Sequence, residues 1–257
     1  MRKATSLFAF PAVCLMVLRA HRAHAMIFKV VPDASSSDDA GEVYSLLDAL
    51  EMARGGDAIQ LEDGTYTDQI HSTGPGEEGN PITIKGTRQA VFEATNPCIE
   101  ITHSWIELEG FTVDGKTGDG EDGDSYENKC VIVDGMGESE DDALDGFVMN
   151  DLHVQNCGGE CIRLKNFVVN AKITDNYIND CGVRHYVFGN ALSGDNDANK
   201  NGEGIYIGTS INAVSGGRVV RPVKHKFDTG YKIRPTENSA GTLREGSSGN
   251  MIEKTML

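Results

Sequence analysis

Beyond an N-terminal leader, no run of apolar residues in this sequence is long enough to cross a bilayer, which excludes a helical span there. There is no C-x-x-C pair, which argues against a cysteine-based zinc site. There is no Asn-x-Ser/Thr sequon, so N-glycosylation gives no clue to compartment. Proline is scarce, 7 residues against 30 glycines, so tight turns fall to glycine. No regular Thr-x-Thr array exists, which removes an ice-binding face. Basic residues are in the minority, 23 Lys and Arg against 39 Asp and Glu, for a formal net charge of −16. A surface this acidic repels nucleic acid and anionic lipid, so neither is an expected partner. It also repels acidic polysaccharides unless cations or local basic residues intervene.

What is present suffices for a core. The chain has 257 residues, 39% hydrophobic and 24% charged, enough for one large domain or two small ones. Residues 1–25 read as a secretory signal peptide: Arg2 and Lys3, an apolar run from Ala4 to Leu18, then the small-x-small site Ala23-His24-Ala25. Arg19, Arg22 and two histidines are unusual there, and a plastid or mitochondrial leader is the competing reading. A buried helix is disfavoured by Pro11. Removing the leader deletes four basic and no acidic residues, taking the charge from −16 to −20. Five cysteines then remain, an odd number.

After Pro81 the chain is a succession of short strands alternating apolar and polar residues. Ile82-Thr83-Ile84 and Ala90-Val91-Phe92 come first. "CIEITHSWIELEGFTVDG" then gives three pieces, Ile99/Ile101, Ile106/Leu108 and Phe111/Val113. Aligned on the first piece, Cys98, Cys130, Cys161 and Gly204 share one place. "VQNCGG" and "INDCGV" match as corners, putting Cys157 and Cys181 24 residues apart. That is about one three-sided coil of a β-solenoid. Longer gaps hold acidic, glycine-rich inserts between Asp114 and Asp145. A two-sheet sandwich is the competing fold, but it does not call for near-identical corners one coil apart.

The pattern resembles the right-handed parallel β-helix proteins, the pectin-lyase-like superfamily, over residues 40–212 and faintly over 243–255. The expected fold is all-β: a single-stranded right-handed parallel β-helix over residues 26–212. An irregular basic segment and partial last coil follow over 213–257, with Arg218, Arg221, Lys224, Lys226, Lys232 and Arg234 against Asp228. A solenoid of this kind needs a lid on its first coil. "LDALEMARGGDAIQLEDGTY" supplies an N-terminal capping helix, Val43 to Ala53, with Val43, Leu46, Leu47 and Leu50 on its apolar stripe. Gly55 is the expected left-handed stop, and Ile59 and Leu61 point inward as the first strand. The stacked Cys98, Cys130 and Cys161 are expected as small buried hydrophobes. Cys157 and Cys181, on equivalent corners, suit a disulfide in an oxidising compartment.

"GGECIRLKN" is similar to the Glu-x-Ile-x-x-Lys segment of the chondroitinase-B and alginate-lyase branch. That resemblance implies Ca²⁺-assisted β-elimination, or C5-epimerisation, on a uronate polymer. It casts Glu160 as a metal ligand, Lys165 as the base that takes the sugar C5 proton, and Arg184, with His185 beside it, as help to the leaving group. Asn128 stands where the branch supplies an Asn ligand, whereas Gly158 replaces an expected acid, so acidic inserts, Asp124 in particular, must complete a Ca²⁺ site. Glu203 repeats Glu160 one unit later, but Gly208 falls in the place of Lys165, so that coil lacks a base. The acidic loop Asp119, Glu121, Asp122 and Asp124 and the Asp195 segment also offer oxygens to Ca²⁺, although a solvated acidic face is the plainer reading. The expected protein is secreted and monomeric and meets an acidic polysaccharide; a wall or matrix protein that only binds one is the rival.

Overall fold

The computed structural model describes residues 24–32, 43–93, 97–118, 125–136, 142–183, 204–207 and 251–253. Three parallel sheets account for most of them. The first runs β1 (Ile27–Val30), β2 (Ala58–Leu61), β5 (Ile82–Lys85), β8 (Ile106–Glu109), β12 (Val148–Asn150), β16 (Lys172–Thr174) and β19 (Met251–Glu253). The second runs β3 (Gly64–Tyr66), β6 (Ala90–Phe92), β9 (Thr112–Asp114), β13 (His153–Gln155) and β17 (Tyr177–Ile178). The third runs β4 (Ile70–His71), β7 (Ile99–Ile101), β10 (Val131–Asp134), β14 (Ile162–Lys165) and β18 (Ile205–Ile207). A small pair, β11 (Leu144–Asp145) and β15 (Val168–Val169), lies between the third and first. The chain visits sheets one, two and three in turn and pairs each strand in parallel with the one a coil earlier. This is an all-parallel architecture of the solenoid kind, with one helix, α1 (Leu46–Met52), among the described residues.

Alternation explains the strands. In β7, β10 and β14 the inward side chains are Ile99 and Ile101, Val131 and Val133, Ile162 and Leu164, all buried and in register. Cys98, Cys130 and Cys161, one residue before each strand, are buried in the same column as expected. Gly204 continues the row, its carbonyl accepting from the Ile162 amide at 3.0 Å. The interior of the second sheet is aromatic: Tyr66 stacks on Phe92 at 4.7 Å, and Phe92 meets Phe111 at 5.4 Å. The expected Asn and Asp corners are real. Asp151 and Asp175, and Asn156 and Asp180, hold left-handed φ of 51–56° one coil apart, a conformation these residues tolerate.

Three expectations need correction. Strand β1 was not foreseen: it precedes Ile59 and Leu61 and pairs with them through Phe28 and Val30. The helix starts later than the leucine pattern suggested, because Ser45 caps it by accepting from the Asp48 amide. Its buried side is therefore Leu46, Ala49, Leu50 and Ala53, while Leu47, one step round the helix, is 61% exposed. The left-handed glycine is Gly56, at φ 87°, and not Gly55, whose Cα faces Glu77 and Asn80 without room for a side chain. The helix packs against β1 and β4, the first strand of the third sheet.

The cysteines pair differently from expectation. Cys157 and Cys181 are neighbours on a parallel bridge, but each is bonded to a stacked cysteine instead: Cys130–Cys157 and Cys161–Cys181. The corner sulfur turns inward and back onto the column of the preceding coil. Each column sulfur lies against an equivalent carbonyl, Asp114 for Cys98, Gln155 for Cys130 and Asn179 for Cys161. Cys98 has no corner cysteine to meet it, since Lys116 and its neighbours occupy that corner, and burial pushes its thiol up to about 12. Residues 1–23 and 213–250 lie outside the described residues, and the expectations of a signal peptide and of a basic segment fall there almost entirely.

Candidate functional site

The outward residues of the third sheet are polar, as alternation requires, and they gather into ion pairs at its β10–β14–β18 end. Lys165, last in β14, extends from the same face as Arg163, two residues earlier. Its Nζ meets Asp134 Oδ2 at 2.8 Å, across the β10–β14 register. The other oxygen, Asp134 Oδ1, accepts from Asn166 Nδ2 at 2.7 Å and from the Met136 amide at 3.0 Å. Asp134 therefore keeps two partners if Lys165 moves away. Between them the chain is tightly apposed: a side chain at Gly135 would collide with the Asn166 carbonyl.

Glu160 lies at the corner before β14, not within the strand. Glu160 is only 4% exposed, beneath two cations. Arg163 Nη1 lies 3.4 Å from Oε1, and Lys129 Nζ lies 3.6 Å from Oε2. Oε2 has no hydrogen bond and neither does the buried Nε of Arg163. The guanidinium also sits over the Tyr206 ring at 5.1 Å. Two cations share the one Glu160 carboxylate.

Asn128 belongs to the same neighbourhood, its side chain packed over Gly159. Asp124, Arg184 and His185 lie outside the described residues, as do Asp119, Glu121, Asp122, Glu203, Gly208 and the Asp195 segment. Among the described residues no group of three or more His, Cys, Asp and Glu converges as a metal site would. Glu160 and Asn128 alone do not fit a Ca²⁺ ion, which takes six or more oxygens, and the Glu160 carboxylate already faces two cations. Sequence reasoning missed Arg163, Lys129, Asp134 and Tyr206. The Arg163/Lys165 alternation was readable within "CIRLKN"; the approach of Lys129 and Asp134 from a coil earlier needed the register.

Farther along the third sheet the polar groups are smaller. His103 Nδ1 lies 2.9 Å from Ser72 Oγ and 3.1 Å from Thr102 Oγ1, and burial holds this imidazole below its ordinary value. His71 pairs with Glu100 at 3.2 Å in the open.

No protein-family model and no curated protein matches the chain. Among solved structures it is similar to an alginate lyase from Paenibacillus sp. strain FPU-7. The TM-score is 0.51 and the identity 16%, over 90% of this chain and 65% of that one. At this identity the likeness is one of fold, that of a β-helix-like protein. The chain spans 65% of the length of that enzyme.

Proposed function

We propose that the chain is a secreted, right-handed single-chain parallel β-helix, closed at its start by α1, that acts on a uronate-containing polysaccharide. Right-handed crossovers are the rule for parallel strands. The two disulfides support an oxidising compartment outside the cytoplasm. The observation that carries the reading is the cluster in which Lys129 and Arg163 both meet Glu160, next to Lys165, on the outward face of the third sheet. A polymer reaches that face and cannot enter the packed interior.

A uronate carboxylate settles against Arg163 and Lys129, with the sugar beside Tyr206. Charge that develops on the carboxylate as C5 is deprotonated is then stabilised electrostatically. Lys165, once it has left Asp134 and given its ammonium proton to solvent, takes the C5 proton on its amine nitrogen. The C5–H electrons form the C4–C5 double bond, the C4–O4 bond breaks, and the leaving oxygen takes up a proton. Arg184 and His185 are proposed donors there. Return of a proton to the opposite face of C5 would give epimerisation. Glu160, Asn128 and Asp124 remain the proposed ligands if Ca²⁺ takes part, and no step above depends on it.

The test is absorbance of unsaturated uronate after incubation with alginate, pectin and glycosaminoglycans, with and without chelator. Lys165→Ala is expected to lower turnover by about 10²-fold or more while melting like the parent. Absence of turnover on every polymer, together with retained binding, would replace the lyase by a non-catalytic binding module.

A further inference from the structure

A second polar concavity lies round the solenoid from this face, where the first sheet turns into the second. It is a cleft of about 540 Å³ lined by Gln60, Lys85, Thr87, Arg88, Glu109 and Asp151, with glycines at 86 and 110. Gln60, Lys85 and Glu109 are one outward row, in register on β2, β5 and β8. Arg88, from the β5–β6 turn, reaches Asp151 of the β12–β13 turn, its Nη2 2.5 Å from Oδ1. That contact spans two coil spacings, about 10 Å at the usual separation of parallel strands. Gly110 makes the floor: at φ 85° it brings its Cα so close to Gly86 that a Cβ would lie 2.5 Å from the Gly86 carbonyl oxygen. Any other residue at Gly110 would fill the notch.

Two features say what the cleft suits. Arg88 Nη1 is buried yet has no hydrogen-bond partner, although its sister nitrogen is bonded. The four charges, Lys85 and Arg88 against Glu109 and Asp151, cancel, so neither an anion nor a cation finds a net attraction. No aliphatic or aromatic side chain lines the cleft, so an apolar ligand has nothing to bury against. Forked donors and acceptors, alternating along several coils without net charge, match a ligand dense in groups that both donate and accept. Sugar hydroxyls are such groups.

We propose that this cleft is a saccharide-binding site that reads hydroxyls, separate from the ion-paired face of the third sheet and independent of whether that face is catalytic. Arg88, whose side chain is 36% exposed, turns Nη1 outward to donate to a ring or hydroxyl oxygen, and Glu109 and Asp151 accept from neighbouring hydroxyls. The test titrates the full chain carrying Lys165→Ala with two tetrasaccharides, mannotetraose and its mannuronate counterpart, at low and high salt. Binding of the neutral probe is expected, little changed by salt. Arg88→Ala is expected to weaken it by roughly tenfold or more, the effect of losing hydrogen bonds from a charged donor. Arg88→Lys should weaken it too, because the ammonium cannot reproduce the fork; its melting profile separates lost binding from lost fold. Failure of mannotetraose to bind overturns the proposal. So does binding confined to mannuronate and abolished by salt, or neutral binding that survives both Arg88 variants. None of these outcomes bears on turnover at Lys165.

Discussion

The outward faces of the first and third sheets belong to the same coils and differ in what surrounds their carboxylates. On the third sheet the carboxylates of Glu100, Asp134 and Glu160 each meet a basic group from a neighbouring strand or corner. On the first, Glu107 and Glu109 extend from one strand, β8, and repel one another. Burial, and then Glu109, push the Glu107 carboxyl above its ordinary value, while Thr83 and Lys172 only partly offset this. The difference teaches where charge has been organised. The first sheet sets two like charges side by side on one strand, whereas the third sheet places cations one coil apart, over anions that they meet.

The contrast can be broken at Glu160. Glu160→Ala removes the carboxylate that Lys129 and Arg163 both meet, at a place where each is less than a fifth exposed. Removal of one member of a buried pair is costly, and partial exposure lets the cations relax, so a loss of about 2–3 kcal/mol is expected in denaturant unfolding. No loss would mean that the two cations had no need of Glu160.

A smaller effect of opposite sign is expected on the first sheet. Folded protein holds the Glu107 proton more tightly than the unfolded chain does. Stability is therefore lost as pH rises from the ordinary carboxyl value through the raised one, and the penalty is complete above it. Glu107→Gln should be more stable than the parent near about pH 7 and indistinguishable from it near about pH 3, where both side chains are neutral. Equal gains at both values would trace the effect to packing and not to charge.

The smallest effect belongs to the exposed pair. His71, 50% exposed, meets Glu100 in solvent, and His71→Ala should change stability by no more than about 0.5 kcal/mol. Added salt should erase what difference there is. A change as large as that at Glu160 would show that position on the third sheet, and not burial, sets the strength of its pairs.

Much of the fold was legible because a solenoid repeats. The Asn156 and Asp180 corners and the Cys98, Cys130, Cys161 column could be aligned by eye, since each coil poses the same steric problem and receives the same answer. What failed was what happens once. Strand β1 has no second copy to align with. Leu47 fits a leucine stripe, but the Ser45 cap fixes which side of so short a helix is buried. The disulfides were misread because spacing along the chain reports which cysteines are neighbours, not which way each sulfur points. At the candidate site, Lys165 and Glu160 were found by local pattern. Lys129, Asp134 and Tyr206 come from neighbouring coils, and only the register brings them in.

Those disulfides also bear on how the chain is made. Each joins a corner to the coil synthesised just before it, with sequence separations of 27 and 20 residues. Neither link waits for the C-terminus. As the chain emerges during synthesis or export, Cys157 can close onto Cys130 before Cys181 has appeared, and Cys181 then finds Cys161 as its waiting partner. The order of oxidation is thus written into the direction of translation, and each bond fastens a finished coil before the next is laid upon it.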